Sequence, residues 1–84
     1  MNLTEQMDTV FSRQDFVSCV RALRDDLREN PDNWENSDLE SFLNAMATWV
    51  EDMDGYYINR GQPVPQQPNW QVLMDILRAA KVYE

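Results

Sequence analysis

Histidine is absent from the 84-residue chain, and cysteine occurs once, at Cys19. Without histidine the chain lacks the commonest general base, a member of the Ser-His-Asp triads and the usual zinc ligand. A single cysteine excludes a disulfide bond within the chain. Cys19 lies between Phe16 and Leu23 on an apolar helical stripe, so we expect a buried small hydrophobe rather than a nucleophile. We therefore expect no enzyme, no catalytic residue, no metal and no cofactor.

Glycine is also scarce, with two residues in the chain. So few turn residues disfavour a β-sandwich or barrel, and no glycine-rich phosphate-binding loop is present. No segment approaches about 18 consecutive apolar residues, and the chain does not open with a positively charged segment followed by an apolar run. We therefore expect a cytoplasmic protein without a membrane span. The length predicts one domain, residues 1–84.

Basic residues are missing from the whole middle of the chain. No lysine or arginine occurs between Arg28 and Arg60, and the net charge of the chain is −8. This charge disfavours nucleic acid and anionic membrane surfaces as partners. It fits either solubility alone or a basic protein partner. From position 32 to position 54 the acidic residues are Asp32, Glu35, Asp38, Glu40, Glu51, Asp52 and Asp54.

Apolar periodicity predicts a first helix that begins at Ser12 and ends before Pro31, because the residue before proline avoids the α region. Ser12 and Asp15 form a weaker version of the capping box, and Phe11 and Phe16 occupy the hydrophobic-staple positions. The apolar residues span an arc of roughly 100°, the width of a core-facing stripe. They are Phe16, Cys19, Val20, Leu23 and Leu27.

The central helix is predicted to begin at Ser37, which forms a capping box with Glu40. Tyr57 keeps the phase of the apolar stripe, so we expect the helix to continue through Gly55 to about Asn59. An internal glycine destabilises such a helix by about 1 kcal/mol relative to alanine. The stripe consists of Leu39, Phe42, Leu43, Met46, Trp49, Val50, Met53 and Tyr57.

Three prolines among residues 62–68 predict an extended linker. Asn69 is expected to cap the last helix, and Tyr83 to pack at its end. Trp34, in the connection between the first two helices, is expected to plug the end of the core. Residues 1–11 form either a short helical turn capped by Thr4 or a loose arm. The apolar side of the last helix consists of Trp70, Leu73, Met74, Ile76, Leu77 and Ala80.

These amphipathic helices cannot bury their stripes alone, so they must pack together. The predicted fold is all-α, a three-helix bundle with a short N-terminal appendage and a proline-rich extended linker before the last helix. The short connection over residues 31–36 predicts that the first two helices are antiparallel neighbours. The longer linker lets the third helix return across them.

The run Asp52-Met53-Asp54-Gly55 resembles part of a calcium-binding EF-hand loop. Alignment of Gly55 with the invariant glycine places Val50 and Gly61 where the first and last ligands belong. Two essential ligands are therefore missing, and we do not expect a calcium site.

Helical spacing places Glu40, Glu51 and Asp54 on one side of the apolar stripe, with Asp52 further round. We interpret this face as a candidate site for a basic protein, with Tyr56 as an aromatic anchor of the kind enriched in hot spots. Tyr56 lies at the edge of the stripe and is alternatively part of the core. The alternative to a binding face is a solvated face that only solubilises the chain.

We therefore expect a non-enzymatic acidic protein-binding module. The alternative is a structural or homodimerising helical domain, in which Trp34 and Tyr56 form the contact between copies. The chain is accordingly expected to be a monomer or a homodimer.

Several short motifs carry a resemblance to a known family. They are W-E-N at 34–36, D-M-D-G-Y-Y at 52–57, P-x-W at 68–70, A-A at 79–80 and the terminal Y-E. With these motifs the chain resembles a family of small uncharacterised bacterial proteins, a domain of unknown function, over nearly all of its length after about Ser12. The resemblance implies a bacterial or phage source and supplies no catalytic residues. By analogy with small acidic bacterial proteins that neutralise toxins, it suggests an immunity-like or inhibitor protein.

Overall fold

The computed structural model describes residues 6–83 and contains three α-helices. Helix α1 spans Arg13–Glu29, α2 spans Leu39–Asn59 and α3 spans Trp70–Val82, with a 3₁₀ turn at Pro31–Asn33. The described residues contain no strand, and residues 62–69 form the non-helical linker. The predicted all-α three-helix bundle is confirmed. Thr4, the expected cap of an N-terminal turn, and Glu84, the last residue of the Y-E motif, lie outside the described residues.

Helix α1 begins at the predicted residue but without the predicted staple. The Ser12 hydroxyl accepts the Asp15 N–H at 3.1 Å, and the Asp15 carboxylate accepts the Phe11 N–H at 3.0 Å. Phe11, however, is 79 % exposed, so the prediction of a Phe11–Phe16 staple is wrong. The Phe16 ring instead packs against Trp70 of α3, with 5.4 Å between ring centroids, which leaves Phe11 without its apolar partner.

The N-terminus of α2 is capped one residue later than predicted. Asp38, not Ser37, is the N-cap: one carboxylate oxygen accepts the Ser41 N–H at 2.8 Å and the other accepts the Ser41 O–H at 2.9 Å. An ionised carboxylate is the stronger acceptor, and here both of its oxygens are used. These hydrogen bonds from Ser41 hold the pKa of Asp38 below its usual range.

The C-terminus of α2 confirms that the helix passes through Gly55. Gly61 has a φ of +67°, a left-handed conformation that glycine adopts without a steric penalty. The Gln62 N–H donates to the Tyr57 carbonyl at 2.9 Å, and the Gly61 N–H donates to the Ile58 carbonyl at 3.0 Å. This pair of bonds is a Schellman motif, which satisfies the last carbonyl groups of the helix.

The C-terminal helix α3 lies at the centre of the fold. It contacts both α1 and α2, whereas α1 and α2 make no comparable contact with each other over the described residues. The prediction that the first two helices are neighbours is therefore wrong. The reason is the set of hydrogen bonds that Asn36 makes. Its backbone N–H donates to the Lys81 carbonyl, and its side-chain amide donates to the carbonyls of Ala80 and Tyr83. These bonds take the connection round the end of α3 instead of turning it directly back.

The N-terminal arm, residues 6–11, is anchored to this central helix. The Gln71 side chain accepts the Val10 N–H at 2.7 Å and donates to the Met7 carbonyl at 2.8 Å. Gln6 and Met7 are helical, and the side chains of Met7 and Val10 are buried. Of the two predicted alternatives, a helical turn and a loose arm, the described part supports the turn. The core cluster consists of Met7, Val10, Cys19, Leu23, Trp34 and Met74.

Trp34 closes one end of the core, as predicted. Its ring is buried, and its indole N–H donates to the Asp26 carboxylate at 2.8 Å. The Lys81 ammonium lies 5.4 Å from the ring centroid and 2.9 Å from the same carboxylate. Trp34 therefore joins the connection to both α1 and α3.

The predicted stripe of α2 is only partly buried. Trp49 and Tyr57 are buried, but Leu39 is 71 % exposed, Leu43 is 52 % exposed and Val50 is exposed as well. The fold covers part of the stripe and leaves these three side chains at the surface. The prediction that these three side chains lie in the core is therefore wrong.

The stripe of α3 also differs from the prediction. Trp70 and Leu73 are exposed, while Val72 and the carboxylate of Asp75 are buried. In residues 6–83, no helix is both long and apolar enough to cross a membrane.

Candidate functional site

The candidate site is the acidic face of α2, which we define as Glu40, Asn44, Ala47, Glu51 and Asp54. At 3.6 residues per turn these positions fall within an arc of about 80°. All of them are exposed. The three carboxylates therefore lie along one side of a single helix and are open to solvent.

Internal ion pairs engage other charged groups and leave this face free. Arg78 bridges Asp8 and Asp75, and Lys81 pairs with Asp26 at 2.9 Å. On α1, the Arg24 and Arg28 side chains share Asp25. Within residues 6–83, none of the ion pairs involves Glu40, Glu51 or Asp54. Their negative charge is consequently available to a cationic group outside the chain.

Asp52 and Tyr56 lie away from the acidic face. The Asp52 carboxylate accepts the Tyr83 O–H at 2.6 Å, which ties α2 to the end of α3 and raises the pKa of Tyr83. Tyr56 is half-buried, with its ring 5.3 Å from Trp49 and the Arg60 guanidinium 5.1 Å from its centroid. The structure thus brings together three of the five predicted site residues and gives the other two contacts within the domain.

Two residues beside the acidic face did not figure in the prediction. Ile58 follows Asp54 by one helical turn and is exposed, and Gly55 lies next to Glu51 with no atom within 4 Å of where a Cβ would stand. Helical spacing of the sequence alone places both residues beside the acidic face. Neither residue is charged or part of the apolar stripe, so the patterns that predict the face do not select them.

A buried polar cluster joins α2 to α3 through hydrogen bonds to Asp75. One oxygen of Asp75 accepts the Tyr57 O–H at 2.8 Å, and the other accepts Gln71 at 3.0 Å and Arg78 at 3.1 Å. Burial, together with the Asp75 hydrogen bond, raises the pKa of Tyr57, so its phenol stays protonated and donates. In the described part of the chain, no buried side-chain nitrogen or oxygen lacks a hydrogen-bond partner. This cluster therefore stabilises the helix packing.

The remaining reactive or ligating residues also have structural surroundings. Cys19 is buried, its thiol lies 3.5 Å from the Gln6 carbonyl, and burial raises its pKa. Both features oppose formation of a reactive thiolate. Asp52 and Asp54 lie within helix α2, whereas an EF-hand ion binds in a loop. Among residues 6–83, no three Asp, Glu or Cys side chains are grouped as a metal site would require.

The motif residues that carry the family resemblance have clear structural roles. Trp34 bonds to Asp26 of α1, Asn36 holds the C-terminal end of α3, Tyr57 bonds to Asp75, and Ala80 is fully buried. Neither the curated proteins nor the solved structures gave a match to the chain. A family model described as a family of unknown function, DUF7660, matches residues 12–84. The match begins at the N-cap of α1, so the buried Met7 and Val10 precede it. The chain belongs to this family of unknown function.

Proposed function

We propose that the chain is a non-enzymatic protein-binding module whose acidic face receives a basic surface of a partner. The observation that carries the proposal is that Glu40, Glu51 and Asp54 are exposed on one helix face and enter none of the ion pairs among residues 6–83. Charge of one sign on a rigid helix accelerates association with an oppositely charged protein and excludes acidic ones.

The small residues of this region support close approach of a partner. Ala47 lies among the carboxylates, and Gly55 adds a position without a side chain beside Glu51. Ile58, at the C-terminal end of the face, offers an exposed apolar contact. A partner with a basic surface and a shallow apolar centre fits this arrangement. An immunity-like or inhibitor protein, which blocks a basic toxin or enzyme, is the form of this function that we propose.

We also propose a cytoplasmic location and a bacterial source. The single thiol, free and buried, suits the reducing cytoplasm. The resemblance of the motifs to small bacterial proteins favours a bacterial host.

The experiment compares two variants of equal charge change in a pull-down from host lysate. Glu51→Lys with Asp54→Lys reverses the acidic face, while Glu29→Lys with Asp32→Lys reverses two exposed carboxylates elsewhere. We expect the wild-type chain and the Glu29/Asp32 variant to capture one basic protein, and the Glu51/Asp54 variant to lose it. Circular dichroism checks that each variant is folded.

Two outcomes contradict the proposal. If both variants lose the partner equally, only the net charge matters and the acidic face is not a site. If the Glu51/Asp54 variant binds like the wild type, with the same dependence on salt, the binding surface lies elsewhere.

A further inference from the structure

The structure leaves an open apolar groove between α1 and α2, above α3. It has a volume of about 330 Å³, and we call it the α1–α2 groove. It exists because α1 and α2 both pack on α3 but make no helix contact with each other over the described residues. Its apolar lining includes Val20 and Leu27 of α1, Leu39 and Phe42 of α2, Leu77 of α3, and Trp34.

The exposed side chains at this groove belong to the core-facing stripes of their helices. Val20 and Leu39 line it with 37 % and 71 % of their surface exposed, and Leu43 follows Leu39 by one turn. Phe11 and Val82 are comparably exposed but belong to neither of these stripes. Residues of an apolar helical stripe that remain exposed in the folded chain are typical of a surface that packs against another helix.

The two walls of the groove carry opposite charges. Arg24 lines the α1 wall and shares the Asp25 carboxylate with Arg28, so two cations face one carboxylate there. Asp38 lines the α2 wall. A helix of uniform charge would meet like charge on one wall. A second copy related by a two-fold axis that runs along the groove meets opposite charge on both walls, because each α1 wall then faces an α2 wall.

The shape of this surface, like its charge, suits a second copy of the same chain. Leu39 projects at the edge of the groove, so the surface presents a protruding side chain beside a depression. In a two-fold interface, residue i of one copy contacts residue j of the other and the reverse. Such an axis places Leu39 of each copy in the groove of its partner, where 330 Å³ accommodates a leucine side chain.

We propose that a second copy of this chain occupies the α1–α2 groove, giving a two-fold homodimer. The contact does not use the Trp34–Tyr56 pair expected from the sequence, since only Trp34 lines the groove, whereas Tyr56 is half-buried elsewhere on α2. Glu51 lies about 120° round α2 from Leu39, and Asp54 lies about four turns further along the helix, so these two carboxylates of the acidic face stay open in the dimer. The proposal is therefore independent of the proposed function.

Sedimentation velocity over about 1 to 500 µM tests the proposal, because a homodimer forms by mass action. We expect the wild-type mass to rise from that of one copy towards that of two. Leu39→Asp places a charge in the groove at an exposed first helical position, where an acidic residue does not disturb the helix. It should raise the dimer dissociation constant at least about tenfold, which corresponds to about 1.4 kcal/mol.

Phe11→Asp is the matched control, since Phe11 is exposed but outside the groove. It should dimerise like the wild type. The proposal is overturned if Leu39→Asp dimerises like the wild type, or if Phe11→Asp abolishes the dimer. A wild-type chain that is monomeric throughout the range also overturns it and leaves a helix of another protein as the occupant of the groove.

Isotope-filtered NMR on an equal mixture of labelled and unlabelled chains locates the contact. We expect intermolecular NOEs from the Leu39 methyl groups to Val20, Leu27 or Phe42. Intermolecular NOEs confined to other surfaces would contradict the groove as the interface. Loss of the dimer should leave capture of a basic partner through Glu51 and Asp54 unchanged, so the two proposals can fail separately.

Discussion

Helices α3 and α2 differ in how much of their apolar surface the fold uses. Helix α3 has 13 residues, contacts both other helices, and buries Met74 and Ala80 completely. Helix α2 has 21 residues but packs only on α3, and Leu39 and Leu43 of its stripe are exposed. The shorter helix therefore organises the core, while the longer one supplies surface.

This difference separates the residues that stabilise the fold from those for which we propose a role in recognition. The contacts that fix α3 come from several parts of the described chain: the arm through Gln71, α1 through Asp26, the connection through Asn36 and α2 through Tyr57. Helix α2 keeps an acidic face and an apolar flank free. Substitutions in α3 should consequently affect folding, and substitutions on the outer side of α2 should affect association.

The largest effect is expected from Met74→Ala. Met74 has no exposed surface, and truncation of a fully buried methionine costs about 2–5 kcal/mol through lost burial and the cavity that remains. Leu43→Ala on α2 is the matched variant and should change the free energy of unfolding by no more than about 0.5 kcal/mol, as at most surface positions. Urea unfolding at low micromolar concentration measures both values.

Comparable losses of unfolding free energy from the two variants would contradict the proposed difference between α3 and α2. A large loss from Leu43→Ala would mean that its side chain is covered in the monomer. A small loss from Met74→Ala would mean that α3 is not the centre of the core.

Much of the fold is predictable from local sequence signals. Ser12, Asn69 and the residue before Pro31 mark helix ends through capping and proline chemistry, and all three predictions are confirmed. The phase of Tyr57 correctly carried α2 through Gly55. The order of packing was not predictable in the same way. It depends on long-range bonds such as those from Asn36 to the end of α3, which leave no periodic pattern.

A smaller effect is expected where α3 is fastened to α1. Hydrogen bonds to the Asp26 carboxylate, chiefly from Lys81, hold its pKa below the usual range. Asp26→Asn should therefore cost about 1–2 kcal/mol at pH 7, because it removes an ion pair between half-buried groups and weakens the bond from Trp34.

The sign of the pH dependence follows from the lowered pKa. In the wild type this contribution is fully present above about pH 4, the usual aspartate range, and is lost as the pH falls through the lower pKa of the folded state. The difference between the wild type and Asp26→Asn should shrink towards pH 2–3. Unfolding by urea at pH 7 and at pH 3 measures it, with the exposed Glu29→Gln as control. A pH-independent difference would show that the ionised form of Asp26 is not what stabilises the contact.

The candidate site was predictable to a different extent from the fold. Helical spacing placed Glu40, Glu51 and Asp54 together, since position on a helix face follows from sequence alone. It did not separate Asp52 from the site, because the Tyr83 hydrogen bond spans 31 residues of sequence. Tyr56 was ambiguous for a similar reason: its half-buried state depends on Trp49 and Arg60 around it. Contacts between distant residues decide which charged and aromatic groups remain free.

The smallest effect distinguishes the two glycines of the chain, and it sharpens the view of α2 as a surface helix. Neither Gly55 nor Gly61 has an atom within 4 Å of where a Cβ would stand, but only Gly61 has a positive φ, +67°. Gly55→Ala should therefore stabilise the domain by about 0.5–1 kcal/mol, since alanine favours the helix and costs less conformational entropy. Gly61→Ala should destabilise it by about 1 kcal/mol, because alanine is strained in the left-handed region. Thermal unfolding of the two variants measures opposite shifts in Tm.

Loss of stability in Gly55→Ala would contradict a regular helix through this position. A gain in stability together with weaker capture of a basic partner would show that the glycine serves the acidic face and not the fold.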